Sequence, residues 1–299
     1  MKSGLTVSVI AAELLKVRKR WLAYLLLFVL IAGAAIQIWL GGYVAWRTEA
    51  EVEPENLRLA LRTFVLPWSL VSLLDSGQFW GSFIVGVLTA SMVATEYGWG
   101  TVRQALIRGQ TRSQYLTVKL LGITILSSAI LLTALAVGIA FSLIATVIAG
   151  EPVTLDVPDG PSAPETLLMV LRAGYAIIPY GMLAFCLTVV GRSTALGVAG
   201  TLLYLIGESI LLGILHGLGG PAPTIRAFVL GHNVSAVLSA NVIGSENFNS
   251  LAFRNNPLAA DVPDPAVGAL VLAAYCAIFL AIAYRVFQRR DLGVEAGGG

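Results

Sequence analysis

Residues 120–149 read LLGITILSSAILLTALAVGIAFSLIATVIA, an apolar stretch without a single charged side chain. An apolar run of roughly 20 residues is long enough to cross the hydrocarbon core of a bilayer as one α-helix. We therefore predict that this stretch is a transmembrane helix and that the rest of the chain is organised around similar helices.

Five further runs of the same kind occur, and together they predict the fold. Of the 299 residues, 57% are hydrophobic and 12% are charged, with a mean hydropathy of +0.83. Soluble globular proteins carry roughly 25% charged residues. We predict an all-α integral membrane protein with six transmembrane helices in one domain over residues 21–290. The predicted spans are 21–43, 76–95, 120–149, 166–190, 195–215 and 266–287.

The distribution of charge predicts the orientation of these spans. Most Lys and Arg residues fall in 1–20, in 103–119, at Arg192 and in 285–290, whereas most Asp and Glu residues fall in the intervening loops. Cytoplasmic loops of membrane proteins are enriched in Lys and Arg. We therefore predict a multi-pass protein of the cell membrane with both termini in the cytoplasm. The net charge of +2 gives no indication of a nucleic-acid partner.

The segment before the first span, residues 1–20, has apolar residues spaced by three and four. Glu13, Lys16 and Arg18 occupy the other faces. This pattern favours either a helix lying in the membrane interface or a simple basic anchor, since both use the attraction of cations to anionic headgroups.

Two further segments lie outside the spans. Residues 216–265 include a moderately apolar stretch that is broken by Arg226, Gly231 and His232. Such a stretch favours a re-entrant or interfacial hairpin on the outer face over a seventh span. Residues 291–299 are expected to form a flexible tail.

The loop between the second and third spans, residues 96–119, is the most locally specified part of the chain. Thr101 with Gln104 predicts a capping box at the start of a short helix, and Gly109 suits the left-handed residue that ends it. Thr111 and the glutamine three residues later repeat the capping pattern at the start of the next helix.

The short helix in this loop is predicted to be amphipathic. Val102, Ala105 and Leu106 share one side, while Arg103 and Arg108 project elsewhere. A cationic, partly apolar protrusion of this kind suits a docking surface for a soluble partner. An ordinary basic loop that obeys the charge bias of cytoplasmic segments is the alternative.

The loop resembles that of type 2 ABC transporter permeases. Glu13-Leu-Leu-Lys16 near the start of the chain and residues 287–292 near its end are similar to that family too. The positions that carry the resemblance in the loop are Glu96, Gly100, Thr101, Arg103, Leu106, Gly109, Arg112 and Lys119.

The resemblance implies the membrane-spanning permease subunit of an ABC exporter. Residues 100–112 would then be the coupling helix that docks on a separate ATPase subunit, residues 2–20 the connecting helix at the membrane surface, and 216–265 the outer hairpin. The family works as two permeases with two ATPases, so the partners would be two copies of the ATPase and a second permease. ATP and Mg²⁺ would sit on the ATPase, and this chain would bind no cofactor. The residues assigned to coupling are those of the loop pattern together with Arg108.

No catalytic motif accompanies these features. A phosphate-binding Gly-x-x-x-x-Gly-Lys-Ser/Thr string and a His-Glu-x-x-His zinc motif are both missing from the sequence. Ser209 lies in a predicted span, but His216 is near the end of the same helix and is poorly placed as its base. We predict no enzyme, no metal and no catalytic residue in this chain.

Glu208 is the one acidic residue predicted deep within a span. A charged side chain there costs at least about 2.5 kcal/mol and normally faces protein or a water-filled cavity. It could line a substrate path, or it could be a structural group that hydrogen-bonds a neighbour such as Tyr204 or Thr201.

Two other functional classes compete with the permease. A secondary transporter driven by an ion gradient usually shows repeated halves and several buried ionisable groups. A membrane sensor or assembly protein would use the long outer loops for binding.

Overall fold

The computed structural model describes residues 21–49, 61–107, 109–153, 162–217, 222–241 and 262–289. Within these ranges the chain is helical and contains no strand. Helix α1 (Trp21–Ala35), a π-helical segment (Ile36–Val44) and α2 (Ala45–Glu49) follow one another directly. Further helices are α3 (Ser69–Gly98), α4 (Thr101–Ile107), α5 (Arg112–Ala149), α6 (Ala163–Gly191), α7 (Thr194–Gly217), α8 (Ala222–Arg226), α9 (Leu230–Ser239) and α10 (Pro265–Arg289).

Six helical segments of the described chain are long and apolar enough to span a membrane, which confirms the predicted number. They are Trp21–Thr48, Gly77–Gly98, Arg112–Ala149, Ala163–Gly191, Thr194–Leu215 and Pro265–Arg289. Each lies within a few residues of its predicted span, except that the third begins at Arg112 and the first continues to Thr48. The chain is therefore a helical membrane protein.

The outward surface of these helices is apolar. Leu203 in α7 is 74% exposed and Leu270 in α10 is 72% exposed, and many large apolar side chains on α1 and α5 also point outward. In water, contiguous apolar surface of this kind would be unfavourable. Lipid tails can cover this apolar surface, which agrees with the membrane assignment.

The centre of the bundle is helix α6, which packs against α3, α7 and α10. Small residues allow the close approach, as expected for helices in lipid. A Cβ added at Gly86 of α3 would lie 2.9 Å from Thr201 of α7, and one at Gly197 of α7 would lie 2.0 Å from Thr188 of α6. Gly86 and Gly197 therefore set the spacing between α3, α6 and α7.

The two ends of the bundle differ. At one end, here called the basic end, α3 finishes, α4 follows and α5 begins. At the opposite end, α5 holds the turn that precedes α3. Ser142 donates to the carbonyl of Phe64 at 2.7 Å, and the amide of Leu66 donates to Thr146 at 3.1 Å. Helix α5 thus contacts structured turns at both of its ends.

The short helices α8 and α9 fall within the segment predicted to form an outer hairpin. Helix α9 is largely buried and packs against α6, α7 and α10. Gly268 of α10 permits the contact, because a Cβ there would lie 2.9 Å from the carbonyl oxygen of Asn233 in α9.

Several predicted features lie outside the described residues. These are the N-terminal segment with Glu13, Lys16 and Arg18, the tail at 291–299, Arg108 in the loop, and residues 242–261 of the outer segment.

Candidate coupling site at the basic end

Helix α4 begins through a turn that the sequence pattern only partly predicted. Gly100 has a φ of +65°, a conformation that glycine adopts readily, and it lets the chain leave α3 and enter α4. The Thr101 hydroxyl donates to the carbonyl oxygen of Glu96 at 3.3 Å. The predicted capping box with Gln104 is wrong, because the helix already begins at Thr101 and the Gln104 amide donates to the carbonyl oxygen of Gly100 at 3.3 Å.

The end of α4 follows the prediction. Gly109 is left-handed, with a φ of +91°. Its amide donates to the carbonyl of Leu106, and the amide of Gln110 donates to that of Ala105, the two hydrogen bonds of a Schellman motif. The next helix also starts as predicted, since Thr111 and Gln114 form both hydrogen bonds of a capping box.

The predicted amphipathic character of α4 is confirmed. Val102 is buried with only 2% exposure, and Ala105 and Leu106 are partly buried, whereas Arg103 is exposed. Val102 packs in an apolar cluster with Leu116 of α5 and with residues of α6 and α10. One side of the short helix is therefore fixed to the bundle, and the other is available.

The exposed side of α4 also carries apolar side chains that the sequence analysis did not single out. Ile107 is 74% exposed, one turn after Arg103 on the same side of the helix, and Trp99, in the turn before α4, is 67% exposed. We call Trp99, Arg103 and Ile107 the α4 knob. A large aromatic, an arginine and an aliphatic residue are the kind of set that carries binding energy at protein interfaces.

Beneath the α4 knob lies a buried ion pair between two helices. Glu96, near the end of α3, accepts from Lys119 of α5 at 2.5 Å, and the two residues are 4% and 2% exposed. The other carboxylate oxygen accepts from the Tyr115 hydroxyl at 2.5 Å. Buried charges need this degree of pairing because desolvation is costly. Together with Phe287, described next, these residues form the Glu96 cluster.

Helix α10 completes the Glu96 cluster. The ring of Phe287 stacks on that of Tyr115 with centroids 5.6 Å apart and an interplanar angle of 12°. The guanidinium of Arg112 donates to the carbonyl oxygens of Phe287 and Gln288 at the end of α10. A cation at the C-terminus of a helix also interacts favourably with the helix dipole. Helices α3, α5 and α10 are thus joined directly below α4.

The structure therefore divides the predicted coupling residues into distinct groups. Glu96 and Lys119 are buried and pair with each other, and Arg112 binds the end of α10. Gly100 and Gly109 shape the two turns. Arg103 remains exposed on the α4 knob. Tyr115 was missed, although its position four residues before Lys119 places both on one side of a helix and could have indicated it.

Glu208 occupies a second polar cluster, within the bundle. It is 7% exposed, and its carboxylate accepts from the hydroxyl of Tyr180 in α6 and from the amide of Gly231 at 3.0 Å. Tyr204, one of the two predicted neighbours, lies beside this cluster, with its ring centroid 6.5 Å from that of Tyr180. Thr201, the other, is not a partner in the structure, because its hydroxyl donates to Gly197 of its own helix.

These contacts place Glu208 at the N-terminus of α9, of which Gly231 is the second residue. A carboxylate at a helix N-terminus satisfies a free amide and complements the dipole. The other end of α9 meets a cation, since Arg172 of α6 donates to the carbonyl of Ala240 at 2.7 Å and to the side chain of Asn241 at 3.3 Å. Both ends of this short buried helix are therefore held by ionisable side chains.

The fold and these clusters define a polytopic helical membrane protein with an ordered loop at one end. Residues 69–293 match the model of a family described as protein of unknown function (DUF2705), and the chain belongs to that family. The match runs from the first residue of α3 to just beyond α10, so it includes the α4 knob, the Glu96 cluster and Glu208. No curated protein matches the chain.

Proposed function

We propose that the chain is the membrane-spanning permease subunit of an ABC exporter, and that α4 is its coupling helix. The observation that carries the proposal is the α4 knob. The two-turn helix exposes Arg103 and Ile107 at the end of the bundle, and the turn before it exposes Trp99, while Val102 fixes the helix to those below. Exposed apolar and cationic groups on an ordered helix suit a soluble protein partner.

In this proposal, the partner is a separate ATPase present in two copies, and a second permease completes the assembly. The sequence contains no phosphate-binding loop, so ATP and Mg²⁺ bind to the ATPase. Nucleotide-driven movement of the ATPase displaces α4. Because α4 packs on the Glu96 cluster, that displacement reaches α3, α5 and α10 together.

The proposal includes an orientation. The basic end, with both termini, faces the cytoplasm of a cell membrane, as the distribution of Lys and Arg favours. Helices α8 and α9 then form a re-entrant hairpin from the outer face. The burial of α9 and the ionisable side chains at its two ends support this arrangement, since backbone ends within a membrane need polar partners.

The test is co-purification with the soluble ATPase that is encoded nearest to this chain. The tagged chain would be co-expressed and purified in mild detergent as the native form, as Arg103→Glu with Ile107→Asp, and as Val153→Asp. Val153 is an exposed apolar residue after α5, at the opposite end of the bundle, and serves as the matched control. Arg112 is left unchanged because it holds α10.

We expect the ATPase to co-elute with the native chain and the control but not with the double variant. Co-elution with the double variant would exclude the α4 knob as the docking site. Failure of the ATPase to bind even the native chain would count against the permease and favour the gradient-driven transporter or the sensor. Among the described residues, no observation specifically favours either of those alternatives.

A further inference from the structure

A cavity lies between α1, α3, α5 and α6, and its lining contains none of the residues of the Glu96 cluster. Its interior space measures about 80 Å³. Its walls are mostly aliphatic, and no charged side chain of the described chain lines it. Representative lining residues are Leu30, Leu74, Ile84, Ile130, Leu135 and Ile177. That space exceeds the roughly 10–15 Å³ that one water molecule needs, so the cavity can admit part of a small apolar molecule through its open mouth.

Glycine creates part of this space. Gly77 of α3 lines the cavity, and a Cβ added there would meet no atom within 4 Å. Its φ is not in the left-handed region. Gly77 therefore differs from Gly86, where a side chain would collide with a neighbouring helix. At Gly77, the missing side chain leaves the cavity open.

Two amide side chains supply the polar part of the wall. Gln37 donates to the carbonyl of Ser72 at 2.8 Å, and Gln78 donates to the hydroxyl of Ser82 at 3.3 Å. Both residues line the cavity. No described protein group donates to either amide oxygen, so each can accept a hydrogen bond from a molecule in the cavity. These oxygens would select a neutral donor, such as a hydroxyl group.

The backbone at Gln37 provides an independent observation. Gln37 is the second residue of the π-helical segment Ile36–Val44, which interrupts the regular helix of the first span. Short π-helical turns in α-helices are rare and frequently occur at functional sites. Here the π-helical segment begins at the cavity wall.

We propose that this cavity binds a neutral, mainly apolar molecule that carries a hydroxyl group, with the hydroxyl bound by Gln37 and Gln78. The apolar lining accommodates the body of the molecule. The absence of a charged group in the wall disfavours a ligand with an ionised head, because a buried charge without a partner is costly. The proposal depends on the cavity and stands whether or not the chain is a transporter.

The experiment is photolabelling of the full chain in phospholipid nanodiscs with a diazirine-bearing long-chain alcohol. Labelled residues are mapped by mass spectrometry in the native chain, in Gly77→Leu and in Gly213→Leu. Gly213 lies on an exposed part of α7, where an added Cβ also meets no atom within 4 Å, so it controls for the substitution itself. Gel filtration confirms that each variant is monodisperse.

We expect the label on cavity residues of the native chain and of Gly213→Leu. In Gly77→Leu the leucine fills the space, and we expect labelling there to fall about tenfold, the change that roughly 1.4 kcal/mol of lost binding produces. An excess of unlabelled alcohol should compete, whereas an alkyl sulfate of equal length should not. Equal labelling in Gly77→Leu, or equal competition by the sulfate, would overturn the proposal.

Discussion

At the scale of single residues, the two charges of the Glu96 cluster depend on each other. Lys119 and Glu96 are both almost fully buried, and each is the counter-ion of the other. Removal of one charge leaves the other buried without a counter-ion. Removal of both leaves no buried charge that needs one.

We therefore predict that Lys119→Met destabilises the protein by about 3–5 kcal/mol, and that Lys119→Met with Glu96→Gln costs far less than the sum of the two single changes. The free energy of unfolding would be measured by denaturant titration in mixed micelles. Arg103→Met, which removes an exposed cation of the same loop, is the control and should change stability by less than about 0.5 kcal/mol. Additive effects of the two changes would show that the charges do not interact.

Glu208 supports the N-terminus of α9, and its loss should be detected there. In Glu208→Gln, the amide cannot accept from both Tyr180 and Gly231 as the carboxylate does, and a buried donor without a partner costs about 1–3 kcal/mol. We predict faster hydrogen exchange in peptides from residues 222–241, measured by mass spectrometry. Ser209→Ala is the control, because within the described parts of the chain the Ser209 hydroxyl bonds only to Leu205 of its own helix. Unchanged exchange in 222–241 would mean that Glu208 does not hold α9.

At the scale of helices and turns, Gly109 fixes where α4 ends. Its φ of +91° is unfavourable for a residue with a Cβ. We predict that Gly109→Ala destabilises the loop by about 1–2 kcal/mol, which limited proteolysis would report as faster cleavage between residues 99 and 112.

Gly98 provides the matched comparison for Gly109. It lies near the loop, an added Cβ meets no atom within 4 Å, and its φ is not in the left-handed region. Gly98→Ala should leave cleavage unchanged or slow it slightly, since alanine favours helix. Equal cleavage of the two variants would indicate that the turn at Gly109 tolerates a side chain.

The same scale shows why some elements could be predicted from sequence and others could not. The capping box at Thr111 was predictable because its partners are three residues apart. Thr101 has the same local pattern, but its hydroxyl can also donate to a carbonyl, and the left-handed Gly100 brings the Glu96 carbonyl within reach. The π-helical segment has no comparably clear local signal.

At the scale of the whole molecule, the sequence predicted the spans because each is decided by its own length and apolar content. The pairing of helices was not accessible in the same way. Glu96 and Lys119 are 23 residues apart and Tyr180 and Glu208 are 28 apart, each pair on different helices. A single sequence contains no signal that would select these partners from other polar residues.

The proposed orientation gives a prediction for the whole chain, tested with the two ends of α5. Cys186 and Cys276 would first be replaced by alanine, and one new cysteine introduced as Ser113→Cys or Val153→Cys. Both positions are exposed, at the basic end and the opposite end. Val153→Cys should react with a membrane-impermeant maleimide in intact cells, and Ser113→Cys only after permeabilisation. The reverse pattern would place the basic end outside.

Helix α5 has one further property, which is mechanical. Its 38 residues contain no proline and extend about 57 Å at 1.5 Å per residue, against a hydrocarbon core of about 30 Å. Lys119 lies near one end, and Ser142 and Thr146 near the other. The backbone hydrogen bonds run along the axis, so the helix behaves as a stiff rod. If α4 moves as proposed, we therefore expect an axial push or a change of tilt there to displace the turn at residues 64–69, so that rigid-body motion of one helix would connect the two ends of the bundle.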